Sequence, residues 1–287
     1  MPAEWEEQKA VLLSWPHNLE TWPHQIKKVE QFYYTLIKEI ITYQEVWLLI
    51  PSLSIKLKIE EELSHIDKNN LKRLKFLHIN THDAWIRDYG PIFLINNKSK
   101  LMISNWEFNG WGDKYDEGYF NDNAIPQKIA EQFNIKKTDV NFILEGGSID
   151  VNGLGLLLTS KNCLLNKNRN SKYLQNDIEQ ILKDNLGVQK VIWVDGEVSG
   201  DDTDGHIDDV ARFVNKDTIV CAYEDNQKDE NYDSLDKIYT QLVEATDQFD
   251  QKLNIIKLPM PNPVYFKDKR LPASYANFLI TNNKVLV

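Results

Sequence analysis

The chain has 287 residues, a formal net charge of −10 and a hydrophobic content of 42%. This composition supplies a globular core, while the acidic balance argues against nucleic acids and anionic membranes, whose binding needs basic patches. No apolar run reaches the roughly 18 residues that span a bilayer, and the N-terminal residues lack the regions of a signal peptide. The two cysteines define no disulfide framework. We therefore predict a cytoplasmic protein without a membrane or nucleic-acid partner.

Hydrophobic periodicity predicts strands and helices along the whole chain. Apolar residues at intervals of three and four predict helices, and short apolar runs bounded by turn residues predict strands. In chain order, the predicted elements are a strand over residues 10–16, a helix over 21–41, a strand over 45–50, a helix over 54–66, strands over 74–79, 91–95 and 101–106, a helix over 123–133, strands over 142–144, 149–151 and 154–159, a helix over 172–185, strands over 190–194, 211–214 and 218–223, a helix over 234–246, and strands over 254–258, 274–281 and 284–287. Asn152-Gly153 is a strong hairpin turn, and Gly187 fits a C-terminal helix cap.

One unit recurs along the chain: a strand ends in a polar loop, a hairpin follows, and then a helix. It starts at four predicted strand ends, near Ile79, Leu144, Val194 and Leu258, although the last has no helix after it. A repeat of about fifty to sixty-five residues predicts an α/β fold of units arranged radially, with their loops converging on an axis. The alternative is an open doubly wound sheet, but hairpins between the helices favour the radial arrangement. No linker divides the chain.

The most polar stretch, residues 200–212, contains five aspartates and one histidine. Gly200 and Gly205 predict a bent loop, because glycine adopts the positive φ angles of tight turns. His206 and Asp208 are two positions apart, so on an extended backbone they point to the same side. An imidazole and a carboxylate in one cavity can transfer protons or hold a cation.

Other interpretations of this loop are a solvated acidic turn or a metal loop. A calcium loop of the helix–loop–helix type needs a glutamate at its twelfth position, but counting from Asp202 that position is Phe213. A zinc site built on His206 is conceivable, yet no cysteine or second histidine lies at ligand spacing.

Two further polar loops follow predicted strands. We expect four side chains from the three loops to face one axis: Asp88, Glu145, His206 and Asp208. Several carboxylates in one cavity are costly unless a cation is present. A guanidinium fits best, because it is planar, always charged and binds carboxylates with two parallel hydrogen bonds. Trp85 adds an aromatic face for a cation.

Each of these residues also has a purely structural interpretation. Asp88 would pair with its neighbour Arg87, and Trp85 would belong to the core. Glu145 would open a plain glycine turn, and His206 would be an ordinary hydrogen-bond partner.

The combination of motifs resembles the agmatine deiminase family, whose members are related to peptidylarginine deiminases. The matching runs are MPAEW at 1–5, DAWIRDYGP at 83–91, FNGWG at 108–112, LEGGS at 144–148, CLLN at 163–166, NRN at 168–170, DTDGHID at 202–208 and PASYANF at 272–278. The resemblance implies an α/β pentein fold, a propeller of five ββαβ-type blades around a pseudo-fivefold axis. The last blade would be incomplete in this chain.

The resemblance also implies a reaction. In the family, a cysteine thiolate attacks the guanidinium carbon of agmatine, ammonia leaves, and water releases N-carbamoylputrescine from a covalent thiouronium intermediate. His206 would carry protons to the ammonia and from the water. Glu145 would support the guanidinium and polarise His206.

Substrate binding is implied for four further positions. Asp88 and Asp208 would hold the guanidinium nitrogens, Trp85 would line the pocket, and Asp202 would lie near the distal amine. The expected partner is a small guanidino substrate. No metal and no organic cofactor is expected, and the family suggests a homodimer or a higher homo-oligomer.

The family nucleophile has no match in this chain. It is a cysteine that follows a histidine in a glycine-rich segment, whereas Cys163 and Cys221 lie in apolar runs and are interpreted as buried structural thiols. We therefore expect residues 1–287 to be a single pentein catalytic domain without its nucleophile-bearing segment, and to turn over no agmatine. The alternatives are a peptidylarginine deiminase-like enzyme, a non-catalytic guanidinium- or polyamine-binding protein, and a generic acidic α/β scaffold.

Overall fold

The first sheet is entirely parallel in the computed structural model, which describes residues 1–115 and 118–287. Its strands are β1 (Ala10–Ser14), β2 (Glu45–Ile50) and β3 (Leu74–His78), adjacent in that order. The connections contain α1 (Ile26–Ile40), α2 (Leu53–Glu62) and α3 (Lys68–Leu71). Parallel neighbours need such crossovers, because a tight turn joins only antiparallel strands.

The next three sheets share a different plan, in which a hairpin is followed by helices and by a strand parallel to the hairpin's second strand. The second sheet and its helices are α4 (Ile86–Tyr89), β4 (Ile92–Ile95), β5 (Leu101–Glu107), α5 (Gly110–Asp113), α6 (Tyr119–Asn123), α7 (Ile125–Phe133) and β6 (Lys136–Ile143). The third comprises β7 (Ile149–Val151), β8 (Leu156–Ser160), α8 (Lys161–Leu164), α9 (Lys167–Asn170), α10 (Gln175–Leu186) and β9 (Lys190–Val194). The fourth comprises β10 (Ala211–Asn215), β11 (Thr218–Tyr223), α11 (Tyr232–Glu244) and β12 (Asn254–Pro259).

Two short hairpins follow. They are β13 (Tyr265–Phe266) with β14 (Lys269–Arg270), and β15 (Leu279–Ile280) with β16 (Val285–Leu286). The last hairpin packs Leu279 and Leu286 against the apolar core of the first sheet. Beside it, the Gln8 backbone N–H donates to Asn282 Oδ1 at 2.8 Å. The two ends of the described chain therefore meet at the first sheet.

Apolar faces of the longer helices form the cores beneath the sheets. In α10, Ile178, Leu182 and Leu186 are buried at intervals of four positions, which places them on one face of the helix. The Gly187 cap has the left-handed backbone expected of a helix C-terminus, with φ of 70°. Within the described residues, no helix is long and apolar enough to cross a membrane.

The predicted α/β class is confirmed, and the open doubly wound sheet is not formed, since the described residues make separate small sheets. Several predicted boundaries were wrong. The first helix begins at Ile26, because turns that place His24 at φ of 64° precede it. The strand β6 begins at Lys136, well before the predicted apolar run. The prediction missed this part because most of the first residues of β6 are polar and exposed.

The site lies where three connections converge. They are α4, the 3-10 turn Gly146–Ser148 after β6, and the 3-10 turn Ile207–Asp209 after β9. The two 3-10 turns contact each other, and α4 contacts the first of them. Loops that follow three different strands thus bring distant parts of the sequence together.

Candidate active site

The structure brings together the four side chains that the sequence predicted to face one axis. His206 Nδ1 lies 3.5 Å from Asp88 Oδ1, and His206 Nε2 lies 4.0 Å from Glu145 Oε2. Glu145, His206 and Asp208 are all buried, and Asp88 is nearly so. The 3-10 turn Ile207–Asp209 replaces the extended backbone on which the His206–Asp208 spacing was judged.

Gly147 lies at the centre of this group. A Cβ added to it would come within 2.5 Å of Asp88 Oδ1, 2.6 Å of His206 Nδ1 and 2.9 Å of Asp208 Oδ2. Since the φ angle of Gly147 is not in the left-handed region, backbone strain does not demand a glycine here. A glycine is needed instead because the three functional atoms pack too closely around this position to admit a side chain.

Asp88 is held through both of its carboxylate oxygens. Oδ1 accepts from the Gly147 backbone N–H, and Oδ2 accepts from Trp111 Nε1, each at 2.9 Å. Such fixed donors define the plane of a carboxylate and leave lone pairs on both oxygens. Trp111 was part of a family run in the sequence but was not predicted as a site residue.

Arg87 does not pair with Asp88, as the structural interpretation of the sequence supposed. Its Nε lies 3.5 Å from Asp208 Oδ2, and its Nη1 lies 3.3 Å from Glu4 Oε2. Burial raises the pKa of Asp208, while the charges of Arg87 and His206 oppose that rise. A bound cation near Asp208 would add to the effect of Arg87 and His206 and would favour the ionised carboxylate.

The environment of His206 favours its protonated form. Burial lowers its pKa, but the Asp88 carboxylate, the Cys163 side chain and Asp208 outweigh that effect, so the pKa of His206 lies well above its ordinary value. Its Nε2 is buried and has no hydrogen-bond partner among the residues that the structure describes. The site therefore holds a proton that His206 can donate.

Glu145 is bound by a buried arginine that the sequence analysis missed. Arg169 Nε donates to both Glu145 oxygens, at 2.9 and 3.0 Å. The same guanidinium donates to Asp204 Oδ2 at 2.7 Å and to the Thr203 carbonyl at 2.8 Å, and its side chain is 0% exposed. Arg169 thus ties Glu145 to the loop that carries His206. The NRN run contained the only sequence signal for it.

Cys163 is buried, as predicted, and it lies beside the site. Its Sγ is 3.9 Å from Glu145 Oε2. Burial and the Glu145 charge raise its pKa. Cys221 lies in β11, where burial raises its pKa to about 12. Because thiolates are the nucleophilic form, neither environment suits a nucleophile.

Glu145, Cys163 and His206 could also be considered as metal ligands. One atom from each of Glu145, Cys163 and His206 lies within 4.8 Å of the others. Sequence spacing had suggested no such cysteine. However, both Glu145 oxygens accept from Arg169, whose positive charge opposes a second cation at that position. The chemistry of the group therefore fits proton transfer better than metal binding.

Two predicted substrate-binding residues lie outside the buried group. Trp85 is 42% exposed and packs on Trp22, with 5.2 Å between ring centroids. Asp202 is exposed, and its Oδ2 accepts from Tyr115 Oη at 3.2 Å. Tyr115 packs edge-on against Trp111. Asp202 is thus connected to the site through two aromatic residues.

The acidic loop is bent as predicted, with φ of 90° at Gly200 and 89° at Gly205. Its shape comes from Asp201, whose carboxylate accepts from the backbone N–H groups of Thr203 and Gly205, both at 2.7 Å. The Thr203 hydroxyl in turn accepts from the His206 backbone N–H at 3.2 Å. These short-range bonds fix the shape of the loop that places His206 in the site.

The whole chain, residues 1–287, matches the family of Porphyromonas-type peptidyl-arginine deiminases. Agmatine deiminase from Pseudomonas aeruginosa is 32% identical over 308 residues, which cover 100% of this chain and 82% of that protein. The solved agmatine deiminase of Enterococcus faecalis is 30% identical, with a TM-score of 0.89 over 99% of this chain and 82% of that one. A cysteine-to-serine variant of C. jejuni agmatine deiminase with substrate bound is 37% identical, with a TM-score of 0.87 over 99% of this chain and 80% of that one. The chain therefore belongs to the Porphyromonas-type peptidyl-arginine deiminase family.

Proposed function

We propose that this chain is an agmatine deiminase, a hydrolase that converts agmatine to N-carbamoylputrescine and ammonia. The observation that carries the proposal is the close grouping of Asp88, His206 and Asp208 around Gly147. A planar guanidinium beside Gly147 would reach carboxylates on two sides, which is the geometry of paired hydrogen bonds. The relatives named agmatine deiminase support the same substrate class.

Binding in this scheme is driven by charge in a buried site. Asp88 and Asp208 hold the guanidinium nitrogens, and low local polarity strengthens each contact. Asp208 gains most, because burial raises its pKa and a bound cation restores its charge. Trp85 lines the approach, and Asp202 receives the distal amine near Tyr115.

Proton transfer in this scheme belongs to His206. Its Nδ1 lies near Gly147, and the imidazolium donates a proton as ammonia leaves. The neutral ring then takes a proton from the attacking water. Glu145, 4.0 Å from Nε2, stabilises the charged ring, and Arg169 holds Glu145 in place.

The scheme needs a thiolate that neither Cys163 nor Cys221 supplies, because burial raises the pKa of both. We propose that a cysteine from outside residues 1–287 completes the reaction. Residues 1–287 would form a single pentein domain that binds agmatine without turning it over. The assay is ammonia release by purified protein of verified mass, and steady turnover by the 287-residue form would refute this part.

The proposal includes the finer fold, five ββαβ-type blades around a pseudo-fivefold axis. Three sheets with one plan support three of the blades. The first sheet and the last hairpin support two further blades, since Leu279 and Leu286 pack on the core of the first sheet. These two blades would lie where the two ends of the described chain meet. The incomplete last blade would include β15 and β16.

Two other functions use the same site. The family description favours a peptidylarginine substrate, for which peptidyl arginine would release ammonia faster than agmatine. The raised pKa of both thiols favours a non-catalytic guanidinium-binding protein. In that case every form of the protein would bind agmatine and none would turn it over. Parallel assays with agmatine and an arginine peptide, on a form extended by the nucleophile-bearing segment, distinguish the three.

The direct test is calorimetric titration with agmatine. Wild-type protein should bind agmatine more tightly than arginine, because the extra carboxylate of arginine is repelled by the acidic site. Asp208→Asn should weaken agmatine binding by about 2–5 kcal/mol, as expected for loss of a buried charge partner. The matched control is Asp195→Asn, since Asp195 pairs with Lys237 at the surface. Equal affinity of wild type and Asp208→Asn would contradict the assigned role.

A further inference from the structure

The turn that contains α5 has an unusual backbone. Four consecutive residues have left-handed φ angles: Gly110 at 66°, Trp111 at 57°, Gly112 at 87° and Asp113 at 59°. Glycine adopts this conformation freely, but a bulky aromatic residue does so at a cost. Such strain persists only where surrounding contacts enforce it, and it is often found at functional sites. Trp111 therefore needs an explanation.

The conformation directs the Trp111 indole at Asp88. Nε1 donates to Asp88 Oδ2 at 2.9 Å. The ring is fixed edge-on against Phe108, at 5.0 Å between centroids, and against Tyr115, at 5.3 Å. With the Gly147 N–H on Oδ1, the indole completes a pair of donors, one on each oxygen of Asp88.

The strained turn is anchored on α9. Gly112 N–H donates to Asn109 Oδ1 at 2.9 Å, and Asn109 Nδ2 donates to the Asn168 carbonyl at 3.0 Å. A Cβ on Gly112 would lie 2.2 Å from Asn168 Nδ2, so the turn rests directly on that side chain. The next residue, Arg169, binds Glu145. One helix therefore supports the holders of both Asp88 and Glu145.

We propose that Trp111 is a positioning residue for Asp88. Its indole N–H and the Gly147 N–H fix the carboxylate plane, so that Asp88 meets a guanidinium without first losing rotational freedom. Preorganisation of this kind increases affinity because less ordering remains for the binding step. The inference rests on the proposed function, since it assumes that Asp88 binds the guanidinium group.

The test compares two tryptophans with the same local bond. Trp193 Nε1 donates to Glu179 Oε1 at 2.9 Å, away from the site. Trp111→Phe and Trp193→Phe each remove one N–H donor to a carboxylate and keep an aromatic ring. We expect Trp111→Phe to weaken agmatine binding about tenfold, the effect of losing one hydrogen bond to a charged group, and Trp193→Phe to leave the affinity unchanged. Thermal melting of both variants checks that each is folded.

A spectroscopic measurement separates positioning from packing. In ¹⁵N-labelled protein, the indole N–H signal of Trp111 is identified by its absence from Trp111→Phe. It should shift in Asp88→Asn without ligand and again when agmatine is added to the wild type, while the Trp193 signal stays constant. A Trp111 that does not donate to Asp88 would produce neither shift, and a purely structural Trp111 would not shift when agmatine is added.

The outcomes distinguish the inference from the function on which it rests. If wild type and Trp111→Phe bind agmatine equally, or if the Trp111 signal is the same in wild type and Asp88→Asn, Trp111 does not position Asp88. If the wild type binds no agmatine, the proposed function fails and the inference fails with it. If Trp111→Phe does not fold, the wild-type and Asp88→Asn spectra decide, because one indole N–H signal other than that of Trp193 should differ between them.

Discussion

Arg169 and Arg212 are both buried among carboxylates, yet they connect different parts of the molecule. Arg169 binds Glu145 and Asp204, both in the loops of the site. Arg212 donates to Glu4 and to the Phe278 carbonyl, which belong to the first and last parts of the described chain. Its guanidinium also stacks on the Phe278 ring at 4.7 Å.

The partners of the two arginines show what a guanidinium does for a buried carboxylate. Burial alone would raise the pKa of Glu4, but Arg212 and Arg87 outweigh it, and the pKa of Glu4 is lowered. The pKa of Asp204 is likewise lowered by Asn168, Lys114 and Arg169 against the effect of burial. Both arginines thus do within the fold what the substrate is proposed to do between Asp88 and Asp208. One supports the site, and the other joins the ends of the described chain.

The largest expected effect is on stability. Arg212→Met should lower the free energy of unfolding by about 3–5 kcal/mol, because it leaves buried carboxylates without their partner. Urea denaturation followed by circular dichroism measures the change. Arg73→Met is the control, since Arg73 binds only carbonyl and amide oxygens near the surface. A loss below about 1 kcal/mol would mean that Arg212 contributes no more to stability than a surface ion pair does.

Arg169→Met should sharpen the contrast. We expect a smaller stability loss, about 2–3 kcal/mol, because Asp204 keeps its bonds to Lys114 and Asn168 while Glu145 is left uncompensated. Agmatine affinity should fall as well, since Glu145 and the His206 loop lose their shared anchor. Calorimetry and denaturation on one preparation measure both quantities. Unchanged affinity would reduce Arg169 to a structural role like that of Arg212.

Gly147→Ala tests the close packing of Asp88, His206 and Asp208 around Gly147, which the proposed guanidinium site requires. The backbone tolerates alanine, but the new methyl group would meet three functional atoms at 2.5–2.9 Å. Overpacking should cost about 1–3 kcal/mol of stability, and agmatine binding should be lost. Tight binding by a folded Gly147→Ala protein would show that the substrate lies elsewhere.

Asp209 is a buried carboxylate without an arginine partner among the described residues, and its effect on stability should depend on pH. Burial and the neighbouring Asp208 charge raise its pKa to about 8. Because the folded protein binds this proton more tightly than the unfolded chain, the stability contribution is full below about pH 4, the ordinary aspartate range, and is lost as pH rises through about 8. Asp209→Asn keeps an acceptor for Asn277 and should flatten this dependence, which denaturation at several pH values measures.

The raised pKa of His206 acts in the same direction. Its stabilising contribution is full below the ordinary histidine pKa and is lost as pH rises through the higher folded value. Wild-type protein should therefore be more stable near pH 6 than near pH 9. If Asp209→Asn shows the same slope as the wild type, Asp209 does not account for the pH dependence.

The sequence predicted much of the site because its residues follow strand ends. Polar loops after predicted strands were enough to bring Asp88, Glu145, His206 and Asp208 into one group. Arg169, Trp111 and Cys163 were missed, because their roles depend on contacts with residues distant in the sequence. Periodicity shows which face of an element is buried but not which side chain lies opposite.

The fold shows the same limit. The repeated hairpin, helix and strand were predicted, because apolar runs mark buried strands. The early part of β6 was missed, since most of its first residues are polar and exposed. The entirely parallel first sheet was also missed, because strand direction is set by the crossovers and not by composition.

The position of Glu4 has a consequence for the order of events during synthesis. Its carboxylate accepts from the Ile280 N–H and from Arg212 and lies 3.3 Å from Arg87, which contacts Asp208. The ribosome makes Ile280 276 residues after Glu4, so the bond between them forms only after Ile280 has been made. Since a domain generally folds as a unit, the support that Asp208 receives through Arg87 and Glu4 depends on that late contact.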